Sequence, residues 1–151
     1  PMAAETRESV RLAQQRDFQF EVQFGAGIAP LQADLPPPSG AGQGPSPELL
    51  LAAAVGNCLA ASLLFSLRKF KNEVGSMRTV AEAKLVRNEQ NRLRVGSIEV
   101  EIHLGVAAAT LKQLDRALAQ FEDFCVVTQS VRAAIPVQVK VIDGEGVVLK
   151  A

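Results

Sequence analysis

Apolar residues fill positions 49–67 almost without a break, and on both sides of that run the chain changes to the two-residue alternation of strands. Ser46 is suited to cap a helix, Pro47 to its first position, where no amide hydrogen is needed, and Glu48 to the positive end of its dipole. Arg68, Lys69 and Lys71 complement the other end, and Gly75 supplies a stop, so the pattern predicts one long helix over about residues 47–72. The run approaches the roughly 20 residues that span a bilayer. Asn57, Ser62 and Ser66 interrupt it, however, and a helix apolar on all sides is equally what a small protein places at its centre, so a buried central helix is expected and no membrane partner.

Upstream, Phe18, Phe20, Val22 and Phe24 alternate with Gln19, Glu21 and Gln23, a half-buried strand paired with residues 10–13 across a turn, 14–17, that holds Arg16. Residues 35–47, rich in proline, glycine and serine, read as a loop or flap long enough to act as a lid. Downstream, residues 78–87 and 92–106 read as two strands joined across 88–91. Ile98, Val100, Ile102, Leu104 and Val106 form one face of the second; Glu99, Glu101 and His103 point the other way. Thr110 with Gln113 resembles a capping box ahead of the stripe Leu111, Leu114, Leu118 and Phe121, which Cys125 continues. A short helical turn over 126–133 and a strand at Val137, Val139 and Val141 follow, with Asp143 and Gly144 turning into a short tail. This order of elements predicts an α+β fold with antiparallel pairing around a long buried helix, rather than a doubly wound sheet.

At 151 residues the chain is about one domain long, enough to bury a core without disulfides or metals. Sixteen basic residues balance sixteen acidic ones, leaving no broad field for nucleic acid, and no such partner is expected. No arginine-flanked apolar leader precedes Glu5, and Pro1 ahead of Met2 reads as a cloning remnant, which makes the cytoplasm the expected compartment. There a cysteine pair is more often catalytic, transient or unpaired than a structural bridge.

With two cysteines, one histidine and neither tryptophan nor tyrosine, few groups other than Cys58 and Cys125 offer redox or nucleophilic chemistry. A lone cysteine on an apolar helix is most often a small buried hydrophobe. Two isolated cysteines and one histidine lack the paired spacing of a zinc site, His103 reads as a solvated side chain, and Gly40–Gly44 lacks the lysine and hydroxyl of a phosphate loop, so no metal or cofactor is expected.

Pro47, Glu48, Gly56, Asn57 and Cys58, followed by Cys125 through Val131, resemble the signature of the OsmC/Ohr superfamily, the osmotically inducible protein C and organic hydroperoxide resistance proteins. The resemblance runs over nearly the whole chain and leaves the branch open, with Val126 and Asn57 departing from the common pattern. It implies an intertwined homodimer with an OsmC-like fold and a cofactor-free thiol peroxidase that reduces organic or lipid hydroperoxides. It further implies Cys58 as peroxidatic and Cys125 as resolving cysteine, Glu48 as the glutamate of the helix start, Arg16 as the arginine set against the thiolate, and a dithiol reductant, a lipoylated protein or thioredoxin. The chemistry agrees: burial disfavours the attacking thiolate, and a guanidinium held by a carboxylate can offset that. A rise of 1.5 Å per residue separates Glu48 from Cys58 by about 15 Å along a straight helix, so a bend or a second subunit is needed to unite them. A binding protein of the same fold, holding a small hydrophobic ligand beside Cys58, is the alternative.

Overall fold

The computed structural model describes residues 4–151; the reading of Pro1 and Met2 falls outside them. Two compact units divide the chain, one up to Leu50 and the other from Leu51 onward.

The first unit holds three antiparallel strands, β1 (Arg11–Arg16), β2 (Gln19–Gln23) and β3 (Leu31–Ala33). The expected alternation holds where it matters, with Val22 buried and Phe20 half-buried, whereas Phe18 is exposed in the turn. That turn is tighter than 14–17, because Asp17 takes a positive φ of 51° and reverses the chain at once; Arg16 is thus the last residue of β1 rather than part of the turn. The proline- and glycine-rich loop is folded about Asp34, whose buried carboxylate accepts the backbone N–H groups of Leu35 (2.7 Å), Ala41 (3.2 Å) and Gln43 (3.0 Å). Gly44 is required here: a Cβ would lie 1.9 Å from the Gln32 carbonyl oxygen.

Helix α1 (Pro47–Lys69) begins where the sequence places it, the Leu49 N–H donating to Ser46 Oγ at 3.2 Å. It stops before Gly75. Lys71 enters the left-handed region at φ 61°, the Lys71 N–H reaches the Arg68 carbonyl at 2.9 Å and the Asn72 N–H that of Leu67 at 3.1 Å, a Schellman closure built without glycine. The buried Asn72 side chain then ties this end to Lys112, donating to its carbonyl and accepting its N–H.

The second unit continues α1 and adds a four-stranded sheet in the order β4 (Met77–Arg87), β5 (Leu93–Leu104), β6 (Val137–Ile142) and β7 (Val148–Lys150). Ile98, Val100, Ile102 and Leu104 are buried as the alternation predicts and meet Val55, Leu59, Leu63 and Leu67, the completely buried stripe of α1. The helix long and apolar enough to cross a membrane is thus the one that builds this core. It is not covered all round: Leu49, Ala53, Asn57, Ala61 and Phe65, four residues apart, form an exposed face.

The α+β class is as expected, with one correction to the pairing. β5 and β6 run parallel, in register from Ile98 opposite Val137 to His103 opposite Ile142. A parallel neighbour needs a crossover of a dozen or more residues, and the helical segment after β5 provides it. That segment is not one capped helix. Gln113 adopts φ 53°, the Thr110 hydroxyl donates to the Ala107 carbonyl within a 3-10 turn (Ala108–Thr110), and α2 spans only Leu114–Gln120. A second 3-10 turn (Phe121–Phe124) and α3 (Val126–Val131) follow, and the expected tail folds back as β7.

Candidate active site

Cys58 occupies the border of the α1 stripe, one residue before fully buried Leu59, so its thiol is half-buried and packs against the core. Nearby Gly56 permits this seat, since a Cβ there would lie 3.0 Å from the Ala81 Cβ of β4.

Cys125 is completely buried at the joint between the second 3-10 turn and α3, with extended backbone (φ −83°, ψ 94°). Its N–H donates to the Glu122 carbonyl at 3.1 Å and its own carbonyl accepts the Gln129 N–H at 3.0 Å, so the backbone is fixed on both sides. Its Sγ donates to Thr128 Oγ1 at 2.9 Å. The two thiols are free and share one hydrophobic core, Cys125 within it and Cys58 packed against it. Burial, reinforced by the influence of the Cys58 thiol, pushes the Cys125 thiol up from its ordinary value, while Thr128, through hydroxyl and amide, pulls the other way without prevailing. Cys125 is therefore held protonated at neutral pH, and Cys58, half-buried where Cys125 is completely buried, is the more accessible of the two.

A charged clamp that the sequence does not reveal stiffens this joint. The carboxylate of Glu122, three residues before Cys125, pairs with both Arg132 and Lys150. Arg132 also donates from Nε to the Val137 carbonyl at 3.1 Å, and Lys150 to the Leu118 carbonyl at 3.1 Å. Burial works against the charge on Glu122, but the hydrogen bonds and charges of Lys150 and Arg132 outweigh it and hold the carboxyl below the usual range. The turn, α3, β6 and β7 are thereby fastened around Cys125.

The other expected residues are placed less tellingly. Glu48 is half-buried in the first turn of α1 and makes no ion pair among the described residues. The Arg16 side chain is 82% exposed, with Asp17 Oδ2 3.9 Å from its Nε. His103 is more than a solvated side chain: it is half-buried, its Nε2 2.8 Å from Glu101 Oε1 on the outward face of β5.

No curated protein matches the chain. Solved structures do. An OsmC-like protein of unknown function from Vibrio cholerae superimposes with a TM-score of 0.76 at 19% identity, covering 91% of this chain and 100% of that one. An organic hydroperoxide resistance protein OsmC from Legionella pneumophila gives 0.67 at 19% identity over 92% and 98%, and the organic hydroperoxide resistance protein OhrB of Bacillus subtilis 0.67 at 17% over 90% and 98%. At such identities these likenesses establish a shared fold. The family model described as OsmC-like protein matches residues 40–140, from the loop before α1, through both cysteines, to the middle of β6. With most of the sequence and the fold in agreement, the chain belongs to the OsmC-like protein family.

Proposed function

We propose that this protein is a thiol peroxidase that reduces organic hydroperoxides to alcohols by cycling through a Cys58–Cys125 disulfide. The observation that carries the reading is the pair of free thiols in one core, Cys58 half-buried at its border and Cys125 completely buried and held protonated, with Cys58 bearing on its titration. The Cys58 thiolate attacks the outer peroxide oxygen and the O–O bond breaks. The departing alkoxide takes a proton to become the alcohol, and Cys58 becomes a sulfenic acid. The Cys125 thiol then displaces the sulfenic hydroxyl as water, forming the S–S bond before further oxidation can occur. A dithiol, lipoylated protein or thioredoxin, restores both thiols. The apolar residues of α1 beside Cys58 favour an organic over an inorganic peroxide, and the names of the Legionella and Bacillus neighbours support the same substrate class.

The working unit in this reading is a homodimer. Leu49 and Phe65, each more than 60% exposed on one face of α1, suit packing against a second copy. The axial separation of Glu48 and Cys58 suits a site in which the glutamate and Arg16 of one subunit serve the thiolate of the other. Peroxide consumption with cumene hydroperoxide and a dithiol, followed in the wild type and Cys58→Ser, tests the activity; full activity in the variant would end it. Mixing Glu48→Ala with Cys58→Ser subunits should restore part of the activity if the site is composite.

A further inference from the structure

We propose that Thr128 is a positioning residue for the resolving step, its hydroxyl fixing the Cys125 sulfur and stabilising, by a hydrogen bond, the negative charge that develops on it. The inference rests on the peroxidase reading and concerns a residue outside the four site residues read from the sequence. Thr128 is the only completely buried hydroxyl residue among the described residues, and its Oγ1 accepts the Cys125 S–H at 2.9 Å. A buried hydroxyl needs a partner, and here that partner is a reacting sulfur. Being β-branched, threonine has few side-chain rotamers. Its carbonyl is fixed by the Arg132 N–H at 2.9 Å, so the oxygen sits on a held backbone.

In the resting state the Cys125 thiol donates and Thr128 accepts. When Cys125 attacks the sulfenic sulfur of Cys58, the S–H proton leaves with the hydroxyl as water. Before the S–S bond closes, while the Cys125 sulfur carries the negative charge left by that proton, the Thr128 O–H turns and donates to it. Among the described residues Cys58, from α1, is the titratable group that bears on this thiol. Glu122 on the preceding turn is taken up by Arg132 and Lys150.

Thr128→Val removes the hydroxyl at nearly constant shape, and Thr128→Ser keeps it. After one equivalent of cumene hydroperoxide, rapid quenching and mass spectrometry resolve sulfenic acid from disulfide. Thr128→Val should form Cys58 sulfenic acid at the wild-type rate but close the disulfide roughly tenfold more slowly, the scale of a lost hydrogen bond to a charged group. Its pH–rate profile for closure should move upward. Thr128→Ser should stay close to wild type. Wild-type closure in Thr128→Val, or equal slowing in Thr128→Ser, would overturn the proposal, the second because it indicates packing. Should Thr128→Val not fold, by circular dichroism, Thr128→Ala carries the same expectation.

If the wild type itself forms no disulfide, the peroxidase reading fails and Thr128 is judged separately. In Cys58→Ser, where Cys125 is the sole thiol, thiolate absorbance should titrate at higher pH once Thr128→Val is added. An unchanged titration would reject Thr128 as a partner of that sulfur.

Discussion

The two cysteines sit in segments of opposite construction. Cys58 rides on a single uninterrupted helix of 23 residues, on the border between a buried stripe and an exposed face. Cys125 lies in a crossover broken into a 3-10 turn, a short helix, another turn and another short helix. The helix gives Cys58 a rigid platform with one side open. The broken segment closes over Cys125 and makes its environment depend on side chains from elsewhere, Thr128 within α3 and Lys150 from β7. The proposed division of labour between the two thiols rests on that contrast.

The largest effect expected is at the open thiol. Cys58→Ser should abolish peroxide reduction altogether. Cys125→Ser should retain the first turnover and then accumulate sulfinic and sulfonic acid at Cys58, read by intact mass, because only the trapping of the sulfenic acid is lost. If the two variants behaved alike, the asymmetry between the segments would have no chemical meaning.

Packing comes next. Leu59→Ala, next to Cys58 and completely buried, should cost about 2–5 kcal/mol in chemical denaturation. Phe65→Ala, on the exposed face of the same helix, should change the stability of a monomer by less than about 0.5 kcal/mol. A larger loss that depends on protein concentration would place that face in a subunit interface.

The smallest effect is electrostatic and specific to the broken segment. Glu122→Gln should cost about 1–2 kcal/mol at neutral pH by weakening charge-assisted hydrogen bonds to Arg132 and Lys150. The folded carboxyl titrates below its unfolded value of about 4.3, so its contribution is complete above that pH and disappears as pH falls through the lower folded value. Wild type and variant should therefore converge in acid, measured as unfolding free energy against pH.

The same contrast governs what could be read from the residues. Ser46, Pro47, Glu48 and the apolar run announce α1 because each acts locally, and the alternation of β5 announces its buried face for the same reason. The end of α1 was less legible, since Lys71 takes a left-handed conformation that glycine normally supplies and Asn72 is secured by a residue 40 positions on. Thr110 and Gln113 have the spacing of a capping box, but a positive φ at Gln113 delays the helix to Leu114. Alternation carries no sign of strand direction, so the parallel β5–β6 pair was hidden, and β3 is too short to show a period. Cys58 and Cys125 were legible as candidates. Thr128 and the Glu122 clamp were not, because their meaning lies in the atoms they face.

The central claim, that Cys58 and Cys125 work as one redox pair, is tested most directly by peptide mapping after a single equivalent of organic hydroperoxide under non-reducing conditions. The account predicts one intrachain disulfide linking the Cys58 and Cys125 peptides, formed at the expense of one peroxide per chain. Recovery of both thiols free with the peroxide unconsumed, or of Cys58 as a stable sulfenic acid beside a free Cys125, would contradict it.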